Sequence, residues 1–337
     1  MALVYLLSYN LAEPKTYDFM TKNVLLKKMP FDKYKKIYGS DDIVLVVIDS
    51  KSVEKYRWPW KRELYCPIID YFSKYANPKV LVHDSILATL DVDNPKSDAK
   101  YFATISKMNN LISGFMPLVQ NWENEQSGKI YDSAFQKKFS LKTVSDSTDM
   151  PEVFESMMPF PTEYFNSIKN VGSVVIIPGS ISGNVMLGGI PIIDEVYRNQ
   201  APIMKYKSNY YPSLAMKTFL MVHPNSNIII DDNYIEIPNL HYKLKYKSSA
   251  LQYTVPVRFY NNYGEGYSHL KYSASDIIES ANLIKQGKKP IINPNVFKDK
   301  IVVLGANVPA GAGLNDNKNS PVAINQDRKS TRLNSSH

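Results

Sequence analysis

Four charged side chains stand where a small molecule could be held. Asp49 closes the apolar run Ile43–Ile48, Asp84 follows His83 at the end of a second such run, Arg62 falls between them, and Asp316 lies in a Gly-rich stretch near the end of the chain. Gly305 ends a third apolar run. If these runs are parallel strands, with the first two as neighbours, the groups line one crevice outside the strand ends, where ligands settle in open α/β sheets. Two roles stand open for Asp49 and Asp84: contact with a ligand, or capping of loops with the single Arg62 fork pairing both acids. Catalysis finds less support. Ser52-Val53-Glu54-Lys55 has the Ser-x-x-Lys spacing of penicillin-binding enzymes, but no Ser-Asp-Asn or Lys-Thr-Gly accompanies it. There is no nucleophile elbow, and no catalytic residue is assigned. His83, His223, His241 and His269 are far apart, with no carboxylate at zincin spacing, so neither a metal nor another cofactor is expected. Gly311, Gly313 and Asp316 could cradle an anion through backbone N–H groups, yet no Lys-Ser/Thr follows, and a tight loop is the expectation. Cys66 is the one cysteine, expected as a small buried hydrophobe, and it leaves the redox compartment open.

The elements that must position these groups alternate in the first half. Ile43–Ile48 is continuous and β-branched, as a strand buried on both faces would be. Pro67 suits the first turn of a helix whose residues Ile68, Ile69, Phe72, Tyr75 and Ala76 share a face, and Asn77-Pro78 breaks it. A strand from Val80, a helix capped by Ser97 and a third strand from Leu111 to Phe115 complete a β-α-β-α-β order. Residues 118–170 are polar and Met/Pro-punctuated, and a variable insertion with one or two short helices is expected there. The second half is richer in strands: one from Val171, another from Ile203 to Tyr206, a hairpin turning at Asp231-Asp232-Asn233, a helix from Pro212 to Val222, and a last buried strand from Lys300 to Leu304. Ser273 with Asp276 has capping-box spacing before a helix that Gly287 stops. The expected fold is α/β, with a central mixed, partly parallel sheet, helices on its faces and a strand-rich second half.

The chain has 337 residues and a formal charge of +8, but its basic residues are mostly scattered lysines. A nucleic-acid surface would cluster Arg and Lys with aromatics between them. The densest group, Lys205 and Lys207 with Lys243, Lys245 and Lys247, alternates as on one solvated strand face, and no nucleic-acid partner is expected. No run reaches the roughly 20 apolar residues of a membrane span. Leu3 to Ala12 is about half that length; it fits either the tail of a spanning helix or a first core segment. Asp327 to His337, DRKSTRLNSSH, is what a common short-read sequencing adapter gives when translated in one frame. It is set aside as non-native, and the genuine protein is expected to continue past Gln326.

Five segments, in order, resemble the type-2 CHASE domain, a cyclase- and histidine-kinase-associated extracellular sensor. They are IVLVVIDSKSVEKYRWPWKREL with its Trp58-Pro59-Trp60-x-Arg62 signature; HDSIL at His83; IIDEVYRNQAPIM with Asp194 and Arg198, followed by YPSLAMKTF; RFYNNYGEGYSHLKYSASDII from Arg258; and FKDKIVVLGANVPAGAGLNDNKNSPV, which carries Gly305 and Asp316. Glu195 stands where the family usually has Gly, and Ser320 where it has Thr. The Trp-Pro-Trp element is expected as a packed corner, and Asp194 with Arg198 as a turn pair. The resemblance spans residues 13–326, with 1–12 as the remnant of a spanning helix. It implies an extracytoplasmic sensory module in a bacterial inner-membrane receptor, on the periplasmic side, truncated before further spanning helices and an output domain such as a nucleotide cyclase or kinase. The implied partners are a small-molecule or protein signal and a second copy joined through the membrane helices. The rival readings are a structural dimerisation domain without a ligand and, without a motif in its favour, an α/β hydrolase or transferase.

Overall fold

The computed structural model describes residues 41–86, 90–118, 133–142, 144–152, 154–157, 160–174, 186–187, 190–191, 199–248, 253–257 and 269–307. Residues 1–12, Asp194, Arg198, Gly311, Gly313, Asp316 and the tail 327–337 lie outside that set.

Strand β1 (Ile43–Ile48) turns through Asp49 into helix α1 (Ser50–Tyr56). Helix α2 (Tyr65–Tyr71) runs on through wider π-type turns over Phe72–Ala76 and stops at Asn77, which takes the left-handed conformation at φ 47°. The extra residue of those turns rotates Tyr75 out of the apolar stripe: it is exposed, and Tyr71 fills the core in its place, donating its hydroxyl to the Ile292 carbonyl. Strand β2 (Val80–Ile86), helix α3 (Pro95–Ile105) and strand β3 (Leu111–Phe115) follow. Helix α3 begins two residues before Ser97, with Pro95 in its first turn, so Ser97 does not cap it. The buried Ser97 hydroxyl instead accepts from the Glu63 N–H.

Strands β4 (Val144–Asp146), β5 (Val171–Ser173), β6 (Ile203–Tyr206) and β7 (Asn209–Pro212) lead to helix α4 (Leu214–Val222). That helix starts after Pro212, which closes β7, and is capped by the Ser213 hydroxyl on Met216 N–H. Strands β8 (Ile228–Ile230) and β9 (Tyr234–Ile237) form the expected hairpin, whose turn is held by the Asp231 carboxylate on two N–H groups. Strand β10 (Tyr242–Lys245) extends it, and β11 (Leu270–Ser273), helix α5 (Ala274–Lys285) and β12 (Ile301–Ala306) complete the described chain.

The central sheet has six strands in the order β11-β1-β12-β2-β3-β5, and every ladder in it is parallel. Mixed pairing falls instead in a four-stranded sheet, β10-β9-β8-β4, where only β4 runs parallel to its neighbour. Helices α1, α2, α3 and α5 cover one face of the central sheet over the main core, and α4 covers the other, over Val80, Val82 and Ile112. A second core gathers Ile228, Ile230, Ile235 and Ile237 with Met150 and Met216. Described parts of the stretch 118–170 feed both cores: Phe135, Phe139 and Phe160 enter the first and Met150 the second. Polar composition hid this, because a few widely spaced aromatics do the packing. Lys205 does not share a solvated face with Lys243 and Lys245. It lies on β6, its side chain only 12% exposed and paired with Asp149, while the other two stand on β10.

Candidate functional site

The carboxyl edge of the central sheet collects the polar groups. Asp49 is the N-cap of α1, and its Oδ1 accepts from Ser52 N (3.0 Å), Ser52 Oγ (2.9 Å) and Ser273 Oγ (2.8 Å). The Ser275 N–H donates to Ser52 Oγ, so four buried or half-buried residues from α1, β11 and α5 lock together. Burial pushes the Asp49 carboxyl up, but the Ser273 and Ser52 donors outweigh it and hold the group below the usual carboxylate range. Asp49 is therefore an anion whose described bonds all use one oxygen. This arrangement also replaces the expected capping box: the Ser273 hydroxyl is spent on Asp49, and Asp276 pairs with Lys51.

Asp84 lies on β2 with an exposed side chain. Strands β1 and β2 are not neighbours, contrary to the expectation: β12 runs between them, pairing Val47 with Gly305 on one side and Leu304 with His83 on the other. Local sequence carries no strand order, and a strand that arrives some 215 residues after β2 left no signal of its place beside it. Gly305 therefore sits between the two acids. A Cβ there would lie 3.7 Å from Asp84 Cβ and 3.9 Å from Asp84 Oδ2, so the missing side chain opens the edge beside Asp84.

Arg62, in the single 3-10 turn Arg62–Leu64, donates from Nη1 to Asp98 Oδ1 at 2.8 Å. Asp98 is 1% exposed, and its other oxygen accepts from Asp91 N at 2.7 Å. The guanidinium also lies over the Phe102 ring, 5.6 Å from its centre. Sequence reading missed Asp98. Its one signal was a carboxylate in the first turn of a Pro-started helix, a position that the helix dipole favours. Beneath Arg62, His83 is buried, its Nδ1 2.8 Å from Tyr101 Oη and its ring 4.8 Å from that of Tyr65. Burial, with the Arg62 charge adding to it, holds the imidazole at about 4, so it is neutral at pH 7. The Tyr65 phenol is pushed up to about 12 by burial.

Trp58, Pro59 and Trp60 form the corner ahead of Arg62, with a cis bond between Trp58 and Pro59. Trp60 is 8% exposed, edge-on to Tyr56 and Tyr65, and Trp58 packs against the same core. Cys66 is free and buried, and burial pushes its thiol up. Among the described residues no three of His, Cys, Asp or Glu gather as a metal site would, and no helix is long and apolar enough to cross a membrane.

A parallel sheet with helices on both faces defines an α/β domain of the open-sheet type. More particularly, the chain belongs to the CHASE2 domain family, whose model matches residues 1–333. This family is one of extracellular sensor domains of signalling receptors, so the chain is a sensory domain. No curated protein and no solved structure matches it.

Proposed function

We propose that this chain is the extracytoplasmic sensory module of a bacterial inner-membrane receptor, whose spanning helices and cytoplasmic output domain, a nucleotide cyclase or kinase, lie beyond it. The match of the CHASE2 family over residues 1–333 carries this reading. The signal binds at the carboxyl edge, where Asp49 offers a second oxygen, Gly305 opens the space beside Asp84, and Arg62 follows the Trp-Pro-Trp corner. Two copies joined through the membrane helices pass the signal inward. The test uses the full-length gene, with alkaline phosphatase inserted after Gln286 and, separately, a fluorescent protein that matures only in the cytoplasm. Phosphatase activity with a dark fluorescent fusion is expected; the reverse pattern removes the domain from the outer side. A thermal-shift screen of small polar molecules then compares the wild type with Asp84→Asn. At least one compound should raise the melting temperature of the wild type and fail to raise that of the variant. Shifts that are equal in both would move the ligand away from this edge.

A further inference from the structure

The opposite, amino edge of the central sheet has a different character. Backbone bonds sew its loops into a row: Ile301 N–H donates to the Asp42 carbonyl and Lys79 N–H to the Lys300 carbonyl (both 2.8 Å), and Leu81 N–H donates to the Asn110 carbonyl and Ser113 N–H to the Asn170 carbonyl (both 3.0 Å). Helices α2, α3 and α5 each precede a strand of this parallel sheet, so their carboxyl ends point to the same edge. On the loops after them, and just before the strands, Lys79, Lys107, Lys288, Lys289 and Lys298 are all exposed, and none has an ion pair or a side-chain hydrogen bond among the described residues. The acids of this edge do not balance them. Among the described residues Asp70 is taken by Lys74 and Lys285 and Asp42 by Lys300, which leaves Asp41 and Asp299. At the carboxyl edge, by contrast, Arg62 is matched by Asp98 and Lys100 by Glu63, and Lys61 and Lys96, which have no ion pair among the described residues, have Asp91 and Asp93 on the loop before α3 to offset them. Positive charge is thus concentrated at one end of the sheet. Within it Ile291, two residues beyond Lys289, is 49% exposed.

We propose that the amino edge rests on an anionic lipid bilayer, with these lysines against the headgroups and Ile291 entering the interfacial layer. An apolar side chain ringed by ammonium groups is the interfacial pattern, and exposed lysines add to one another at a charged membrane surface. The five cations are all Lys, without the guanidinium forks and interleaved aromatics that would read a nucleic acid. The chain also enters β1 at this edge.

The inference goes beyond the sensor reading and rests on it only for a bilayer being close by. Vesicle binding and the reporter fusions can fail independently of each other. Co-sedimentation of the full chain with phosphatidylcholine vesicles, and with vesicles of phosphatidylcholine and phosphatidylglycerol in equal parts, tests it. Stronger binding to the anionic vesicles is expected, and it should weaken as salt screens the surface. The variant K288Q/K289Q/K298Q should lose about tenfold or more in partitioning to them, while K61Q/K96Q/K100Q, which removes the same charge elsewhere, should change it by about twofold or less. Equal binding to both vesicle types, or equal losses from the two variants, overturns the proposal. Tighter binding to heparin or duplex DNA than to anionic vesicles, abolished by the same three substitutions, also overturns it and assigns the edge to a soluble polyanion.

Discussion

His83 protonates near pH 6.5 in an unfolded chain, whereas burial and the Arg62 charge hold it at about 4 when folded. Between those values the unfolded state binds a proton that the folded state refuses, so folding stability falls as pH drops through that window and is fully present above it. The shift corresponds to about 3 kcal/mol lost between neutral pH and pH 4. His83→Gln should flatten this part of the stability curve, as read by urea titrations across the window; a variant curve parallel to the wild type would place the acid sensitivity elsewhere. Arg62→Ala strands the Asp98 carboxylate without its cation in a buried setting, at a cost on the order of 3 kcal/mol. The solvated Lys245→Ala should cost about 0.5 kcal/mol or less. Equal small losses in a denaturant titration would mean that the pair is solvated. At this scale sequence reading placed Asp49 at the end of β1, because an apolar run that stops at an acid marks its own end, but Asp84 lies within β2, which runs on to Ile86. It could not find Asp98 as the partner of Arg62, since the two lie 36 residues apart on separate elements and meet only through packing.

Gly172 shows how closely the elements approach. A Cβ there would come within 2.5 Å of Leu214 Cα, 2.8 Å of Leu214 N and 2.9 Å of the Ser213 carbonyl oxygen, all backbone atoms at the start of α4. None of these can swing away as a side-chain tip would. Gly172→Ala should therefore lift α4 from β5 and cost roughly 1–3 kcal/mol, seen as a lower urea midpoint. An unchanged midpoint would show that α4 is loosely seated. Hairpin β8–β9, the end of α5 at Gly287 (φ 71°) and the strands β1 to β3 were legible from local chemistry. The π-type turns after α2 and the use of Ser273 on Asp49 were not. Both depend on what the neighbouring element offers, and no local propensity records that.

For the whole molecule, the α/β class followed from alternating elements, and family membership from short motifs in order. The sequence did not disclose that the last described strand would enter the middle of the sheet. That placement has a mechanical consequence. The chain enters β1 at one edge of the sheet and leaves β12 at the opposite edge, and these strands lie side by side with six residues of each in register, from Ile43 opposite Ile301 to Ile48 opposite Ala306. Tension between the entering and leaving segments would load that ladder in shear. Its bonds would then resist together, rather than unzip in turn. A pull on one end of the domain would thus be delivered to the other with little give.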